Sequence, residues 1–175
     1  FSAVVEFEDV REVLGLGEEP PVGANLIADV DDENTELEQA FVQYKEGLLT
    51  AKIGRQVLTL DGHRHVGHVG WRQDWQTFDA GRVTVTPIED LVIDLSYIYK
   101  VNRINSPAFA DIPAASGHTS HKLVNASYKT PIGKVVAYYY DLSEETYGGP
   151  DGQFDATETL GLGFSGATGD DIKFH

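Results

Sequence analysis

The chain has 175 residues, 41% of them hydrophobic and 23% charged, and it contains neither cysteine nor methionine. That is enough chain for one domain or part of a larger one, too apolar for disorder, and it excludes disulfide frameworks, thiolate metal sites and cysteine nucleophiles. The formal net charge is −15, and residues 1–36 hold eleven acidic side chains against one basic, which argues against nucleic acid as a partner, because phosphate recognition needs clustered Lys and Arg.

Alternation of apolar and polar residues, not helical periodicity, runs through the chain. In FSAVVEFED, Ala3, Val5 and Phe7 oppose Ser2, Glu6 and Glu8. In EQAFVQYK, Ala40, Val42 and Tyr44 oppose Gln39, Gln43 and Lys45, with Phe41 breaking the pattern; in LLTAKIG, Leu49, Ala51 and Ile53 oppose Thr50, Lys52 and Gly54. AGRVTVT sets Gly81, Val83 and Val85 against Arg82, Thr84 and Thr86. The clearest case is LVIDLSYIYK, where Leu91, Ile93, Leu95, Tyr97 and Tyr99 share one face and Val92, Asp94, Ser96, Ile98 and Lys100 the other. LVNASYK, with Val124, Ala126 and Tyr128, and ETLGLGFSG, with Leu160, Leu162 and Phe164, repeat the theme. KVVAYYYDL is apolar or aromatic on both faces, and a ninth strand opens at DIKFH.

Connections alternate in length. Those at 46–47, 87–90, 130–133 and 167–170 are short and carry the Gly, Pro and Asp of tight turns; those near 11–35, 58–75, 102–120 and 143–153 are long. This is the pattern of an all-β, antiparallel up-and-down transmembrane β-barrel, simple at one end and elaborated at the other. No run reaches the roughly 20 apolar residues of a membrane-spanning helix, but barrel strands are short and only half apolar. Two other readings share the pattern: a soluble or periplasmic all-β binding domain whose apolar face lies on a second sheet, and a small closed barrel acting as adhesin or receptor.

The stretch KIGRQVLTLDGHRHVGHVGWRQDWQTFDA (52–80) resembles the outer-membrane porins related to the bacterial alginate-export channel. VEFEDVR (5–11), TELEQAFVQY (35–44), KVNRI (100–104) and LVNASYKTPIGKVVAYYY (123–140) extend the resemblance, in order, over most of the chain. The long GWRQ…QTFDA run is the specific part. The resemblance implies a Gram-negative outer-membrane β-barrel acting as a passive channel. It also implies about 16 or 18 strands in the whole barrel, with this chain supplying eight to nine of them as a partial porin domain. The chain opens at Phe1 without a visible signal peptide and ends at His175, not on a closing aromatic residue, and so reads as an internal segment. Where the family usually carries an Arg-Phe pair and an Asn, this chain has His63, His65 and His68.

The candidate functional residues are charges expected on the wet face. Lys52, Arg82, Lys100 and Lys129 share that face, with Arg72 and Arg103 in or beside long loops. Arg55 has the parity of Ile53, so it turns inward only at a bulge or strand end. Asp94, Glu6 and Glu8 are the opposing carboxylates. Such facing charges set a transverse field and select ions, although the same residues serve equally as wall salt bridges. Trp71 and Trp75 read as loop anchors, with a sugar-stacking platform as the alternative. His63, His65 and His68 have a spacing that suits zinc or copper, but a polar loop that binds no metal is the preferred reading. DVDDENTE (29–36) lacks the Gly and the final Glu of a calcium loop and reads as a solvated acidic segment.

Enzymatic signatures are missing: GFSGA lacks the second spaced Gly of a nucleophile elbow, and no Walker loop, HExxH or dinucleotide fingerprint occurs. The expectation is therefore a non-enzymatic channel without cofactor. Its partners would be outer-membrane lipid, lipopolysaccharide and small hydrophilic solutes, anions among them, with a homo-oligomer left open.

Overall fold

The computed structural model describes residues 1–10, 34–71, 75–103, 116–148, 154–168 and 172–174. Nine strands lie among them: β1 (Ser2–Val10), β2 (Asn34–Glu46), β3 (Leu49–Gln56), β4 (Thr77–Val85), β5 (Leu91–Asn102), β6 (Ser116–Thr130), β7 (Gly133–Gly148), β8 (Phe154–Thr168) and β9 (Ile172–Phe174). They form one sheet in sequence order, each paired antiparallel with the next. This is the up-and-down meander that the alternating pattern predicts. Pairing on both sides satisfies the backbone of an inner strand through its neighbours except at the bulges, as a wall set in hydrocarbon requires.

Tight turns close the short end. Between Glu46 and Leu49 only Gly47 and Leu48 intervene, and Gly47 takes φ 53°, as the first turn residue of a type II′ hairpin does. Pro131 and Ile132 alone join β6 to β7, with Thr130 paired to Gly133. The opposite end carries the connections 11–33, 57–76, 103–115 and 149–153.

The two faces separate as their chemistry dictates. Along β5 the odd residues Leu95 (44%), Tyr97 and Tyr99 are exposed, while Asp94, Ser96 and Ile98 are buried. Leu160 and Leu162 on β8 are each 83% exposed. Val42, Ile53, Val124, Tyr128, Val135 and Tyr139 stand on the same outer side. No second sheet covers this surface among the described residues; the burial is all on the other face. Leu91 to Tyr99 is eight residue steps, or about 26 Å along the strand. At the usual barrel tilt of about 40° that becomes roughly 20 Å of height, close to the ~25 Å apolar band of an outer-membrane barrel. Beyond Val124 and Tyr139 the outer face turns ionic, with Lys122 Nζ 3.1 Å from Asp141 Oδ2.

Two strands are longer than their apolar pattern. β6 starts at Ser116 and β7 runs to Gly148, so SGHTSH and SEETYG belong to strands and not to the adjoining loops. These extensions lie past the ionic rim, where no lipid imposes an apolar parity.

Candidate functional site

The described residues of the connection between β3 and β4, 57–71 and 75–76, do not stand away from the sheet; they lie on its inner face. Leu58, Leu60 and Val66 from this loop are buried with Phe78, Ala80, Ile98, Val101, Leu123 and Tyr140 from the wall. Each loop aliphatic removed from water stabilises the docked loop by roughly 1.5–3 kcal/mol, so the three together contribute on the order of 5 kcal/mol. The loop is therefore a fixed part of the wall's inner surface rather than a swinging flap.

The tip is a closed turn. Leu60 and Val66 bridge each other, and Leu60 N–H donates to the Val66 carbonyl at 3.1 Å. Within it Asp61, Gly62 and His63 all take left-handed φ values of 49°, 67° and 66°. Gly, Asp and His are among the residue types that tolerate this region, which gives the DGH tripeptide a local reason. Val69, at φ 56°, has none: a β-branched residue there is strained by roughly 1–3 kcal/mol, and the surrounding packing must hold it. Gln76 supplies some of that hold, its N–H donating to the His68 carbonyl and its side chain to the Gly67 carbonyl, both at 2.9 Å.

Asp61 carries the tip across to strands far away in sequence. Asn125 Nδ2 on β6 donates to Asp61 Oδ2 at 2.8 Å, and the fully buried Tyr140 hydroxyl on β7 donates to the same oxygen. Asn125 Nδ2 also lies 2.6 Å from the Tyr140 oxygen, which closes a three-membered latch. The His65 ring packs against Tyr138 and Tyr140 at 5.6 and 5.8 Å. A loop that leaves β3 and returns to β4 is thus fastened at mid-height on β6 and β7. No periodic signal foretells this, because the partners are 64 and 79 residues from Asp61.

The charged inner wall is built beside the latch. Asp94 is 4% exposed and accepts from Arg82 Nε (2.6 Å), Thr84 (3.0 Å) and Ser96 (2.9 Å). Lys52 pairs in register with Arg82, and its ammonium sits 4.1 Å from the centroid of the Phe41 ring. Phe41 is the residue that broke the β2 alternation, and this cation–π contact is what its inward position provides. Glu6 accepts from Gln39 at 2.5 Å on the neighbouring strands, with Glu8 further along β1. Lys129 is exposed near the short-turn end.

Two candidate charges leave this wall. The β5 register shifts between Ile98 and Lys100 against both neighbours, a bulge that places Val101, not Lys100, among the buried residues. Lys100 then takes the parity of Asn102, in register with Asp79. The β3 register is unbroken, so Arg55 stays in step with Ile53; it binds Asp79 (Nε to Oδ1, 2.8 Å) and donates to the Leu37 carbonyl at 3.0 Å. Arg72 lies outside the described residues, as do residues 29–33 of the acidic stretch.

The tryptophans divide. Trp75 is held, its backbone N–H donating to the Glu38 carboxylate at 3.3 Å and its ring set edge-on to His68, whereas Trp71 is 79% exposed. The histidines divide too. His63 and His68 lie with ring centroids 4.9 Å apart, while His65 turns to the tyrosines. Among the described residues no group of three His, Asp or Glu side chains is arranged to hold a metal. His121 is on β6 and buried. Burial of the His68 imidazole, and secondarily the neighbouring His63, hold its pKa below the usual value of 6.5. Its Nδ1 is buried without a hydrogen-bond partner among the described residues.

An apolar outer band, a polar and charged inner wall, the three longest connections gathered at one end and a loop fastened inside together define the wall of a transmembrane up-and-down β-barrel. The chain belongs to the family described as "Alginate export", whose profile matches residues 1–168. That is a family of outer-membrane channels and not of enzymes. No curated protein and no solved structure matches the chain.

Proposed function

We propose that this chain forms part of an outer-membrane channel through which small hydrophilic solutes, anions among them, diffuse passively. The observation that carries this reading is the 57–76 loop fastened by Asp61 to Asn125 and Tyr140 on the inner wall. A loop in that position narrows a lumen without closing it, and it has no use on a sheet whose inner face is a filled core.

Lys52 and Arg82 supply the positive side of the constriction. Asp94 holds Arg82 in place through the 2.6 Å ion pair, and Lys52 is propped on Phe41. Two cations facing one saturated carboxylate leave a local positive field, although the chain as a whole is acidic. Glu6 and Glu8 set a negative sector on β1. Trp75 anchors the loop, while Trp71, exposed beside it, suits contact with solute or headgroups. The outer band takes lipid, and its ionic rim at Lys122 and Asp141 takes the level of lipopolysaccharide headgroups.

Planar-bilayer recording of the purified protein tests the proposal. It predicts discrete conductance steps with a reversal potential displaced toward anions in a salt gradient. A protein folded in the bilayer that passes no current would overturn it.

A further inference from the structure

The short turns at 47–48, 86–90 and 131–132 each carry an exposed aliphatic side chain at the tip. Leu48, between β2 and β3, is 61% exposed, Ile88, between β4 and β5, 59%, and Ile132, between β6 and β7, 71%. Turns of this kind normally carry polar residues. Two of them repeat one tripeptide, Thr86-Pro87-Ile88 and Thr130-Pro131-Ile132, which sets isoleucine at the same place in each. The tips are two strands apart, about 10 Å, so they form a row along one rim and not scattered single exposures.

The backbone of this rim is satisfied from within. The Leu48 carbonyl accepts from Thr86 N–H at 3.0 Å, the Ile88 carbonyl from Leu91 N–H at 3.3 Å and the Asp90 carbonyl from Lys129 N–H at 3.0 Å. At the β6–β7 tip the Thr130 hydroxyl donates to the Gly133 carbonyl (2.7 Å) and accepts from Ile132 N–H (3.4 Å). Pro87 and Pro131 have no N–H to satisfy. Water would serve such groups freely; lipid cannot.

We propose that Leu48, Ile88 and Ile132 sink into the boundary between headgroups and acyl chains of the periplasmic leaflet, so that the short-turn end is seated in the bilayer. The inference rests on the membrane-barrel reading above and adds a lipid contact at its rim. The row continues the lipid face directly. Leu49 follows Leu48, Leu91 stands three residues on from Ile88, and the paired Tyr128 and Val135 lie on the same face beside the Ile132 tip. Height agrees. Leu91 to Tyr99 supplies roughly 20 Å of a ~25 Å apolar band, and a tip adds one or two residue steps, roughly 3–5 Å. The exposed carboxylates Glu46, Glu89 and Asp90 beside the tips limit the depth, since they must stay among hydrated headgroups. Lys129 and Lys134, paired at the same end, have the inner parity of Asn125 and Tyr138 and do not meet this surface.

Tryptophan fluorescence in vesicles tests the inference. In a Trp71→Phe/Trp75→Phe background, Ile88→Trp, Ile132→Trp and, as a mid-band reference, Leu95→Trp are each folded into phosphatidylcholine brominated near the glycerol end of its chains. Heat-modifiable gel mobility establishes that each is folded. Tryptophan at 88 and 132 is expected to be quenched strongly by the bromines and several-fold less by aqueous iodide than free tryptophan. Strong iodide quenching without bromine quenching at 88 and 132 overturns the proposal, and quenching retained at 95 then leaves the barrel standing. Weak bromine quenching at all three positions removes the membrane reading and this inference with it. Leu48→Ser/Ile88→Ser/Ile132→Ser shortens the apolar height, so it is expected to fold like wild type in thin short-chain bilayers and with about twofold lower yield or less in thicker ones. Wild-type yields in both bilayers overturn the proposal.

Discussion

Replacing Tyr140 with Phe removes one hydroxyl from the point where the loop tip meets the far wall. In the native protein that hydroxyl donates to Asp61, whose same oxygen accepts from Asn125 at 2.8 Å. A hydrogen bond to a charged acceptor contributes about 1.5–3 kcal/mol, so the tip loses roughly 2 kcal/mol of its fastening. That corresponds to a rise of about 30-fold in the ratio of released to latched tip. The loop as a whole stays docked, because Leu58, Leu60 and Val66 remain buried and their contribution of on the order of 5 kcal/mol is untouched. The expected phenotype is therefore specific: single-channel records acquire brief excursions to a larger conductance, while the main level and the heat-modifiable mobility are unchanged. Asp61→Ala produces the same excursions more often, since it also strands Asn125. Identical open-channel noise in wild type and Tyr140→Phe would refute the claim that this latch holds a constriction.

Three other perturbations follow from the same geometry. Lys52→Glu, at the positive side of the inner wall, shifts the reversal potential in a salt gradient toward cations by reversing one lumen charge; an unchanged potential takes Lys52 out of the selecting set. The released loop binds a proton at His68 at the ordinary imidazole pKa of about 6.5, but burial and His63 hold the docked loop's value below that. The docked state is thus fully stable above that pH and loses stability as pH falls through it; loop excursions should rise below about pH 6.5 and become pH-independent in His68→Gln. Leu160→Arg places a cation in mid-band on a side chain now 83% exposed, so it should lower folding stability in vesicles by about 2–4 kcal/mol. Thr159→Arg, on the opposite face, should cost far less, and equal losses would mean that the two faces are not chemically distinct.

The strands within the lipid band were legible because lipid imposes a parity that the sequence must obey; Leu91, Ile93, Leu95 and Tyr97 announce β5 without help. The legibility ends with the lipid. SGHTSH at 116–121 is strand without any apolar rhythm, since it lies past the lipid band and its buried positions, Thr119 and His121, are polar. Parity also fails at a bulge: Lys100 shares the step of Asp94 in the sequence, yet the shift beside Tyr99 gives its inward place to Val101. Lys52, Arg82 and Asp94 could be grouped from alternation alone, because no irregularity separates them. The loop latch could not, because nothing local in Asp61 says that Asn125 and Tyr140 will meet it. The nearest signal was the density of polar and aromatic residues in 61–76, more than a solvent-facing turn needs.

What covers the apolar face decides whether these strands cross a membrane, and depth-dependent quenching reads this directly. With Trp71 and Trp75 replaced by Phe, a single tryptophan is placed in turn at Leu95, Leu160, Ser127 and Thr159 in protein folded into vesicles of brominated lipid. Strong quenching at 95 and 160 with little at 127 and 159 is the predicted result. Quenching that is weak at all four positions, or stronger at 127 and 159, would contradict the account.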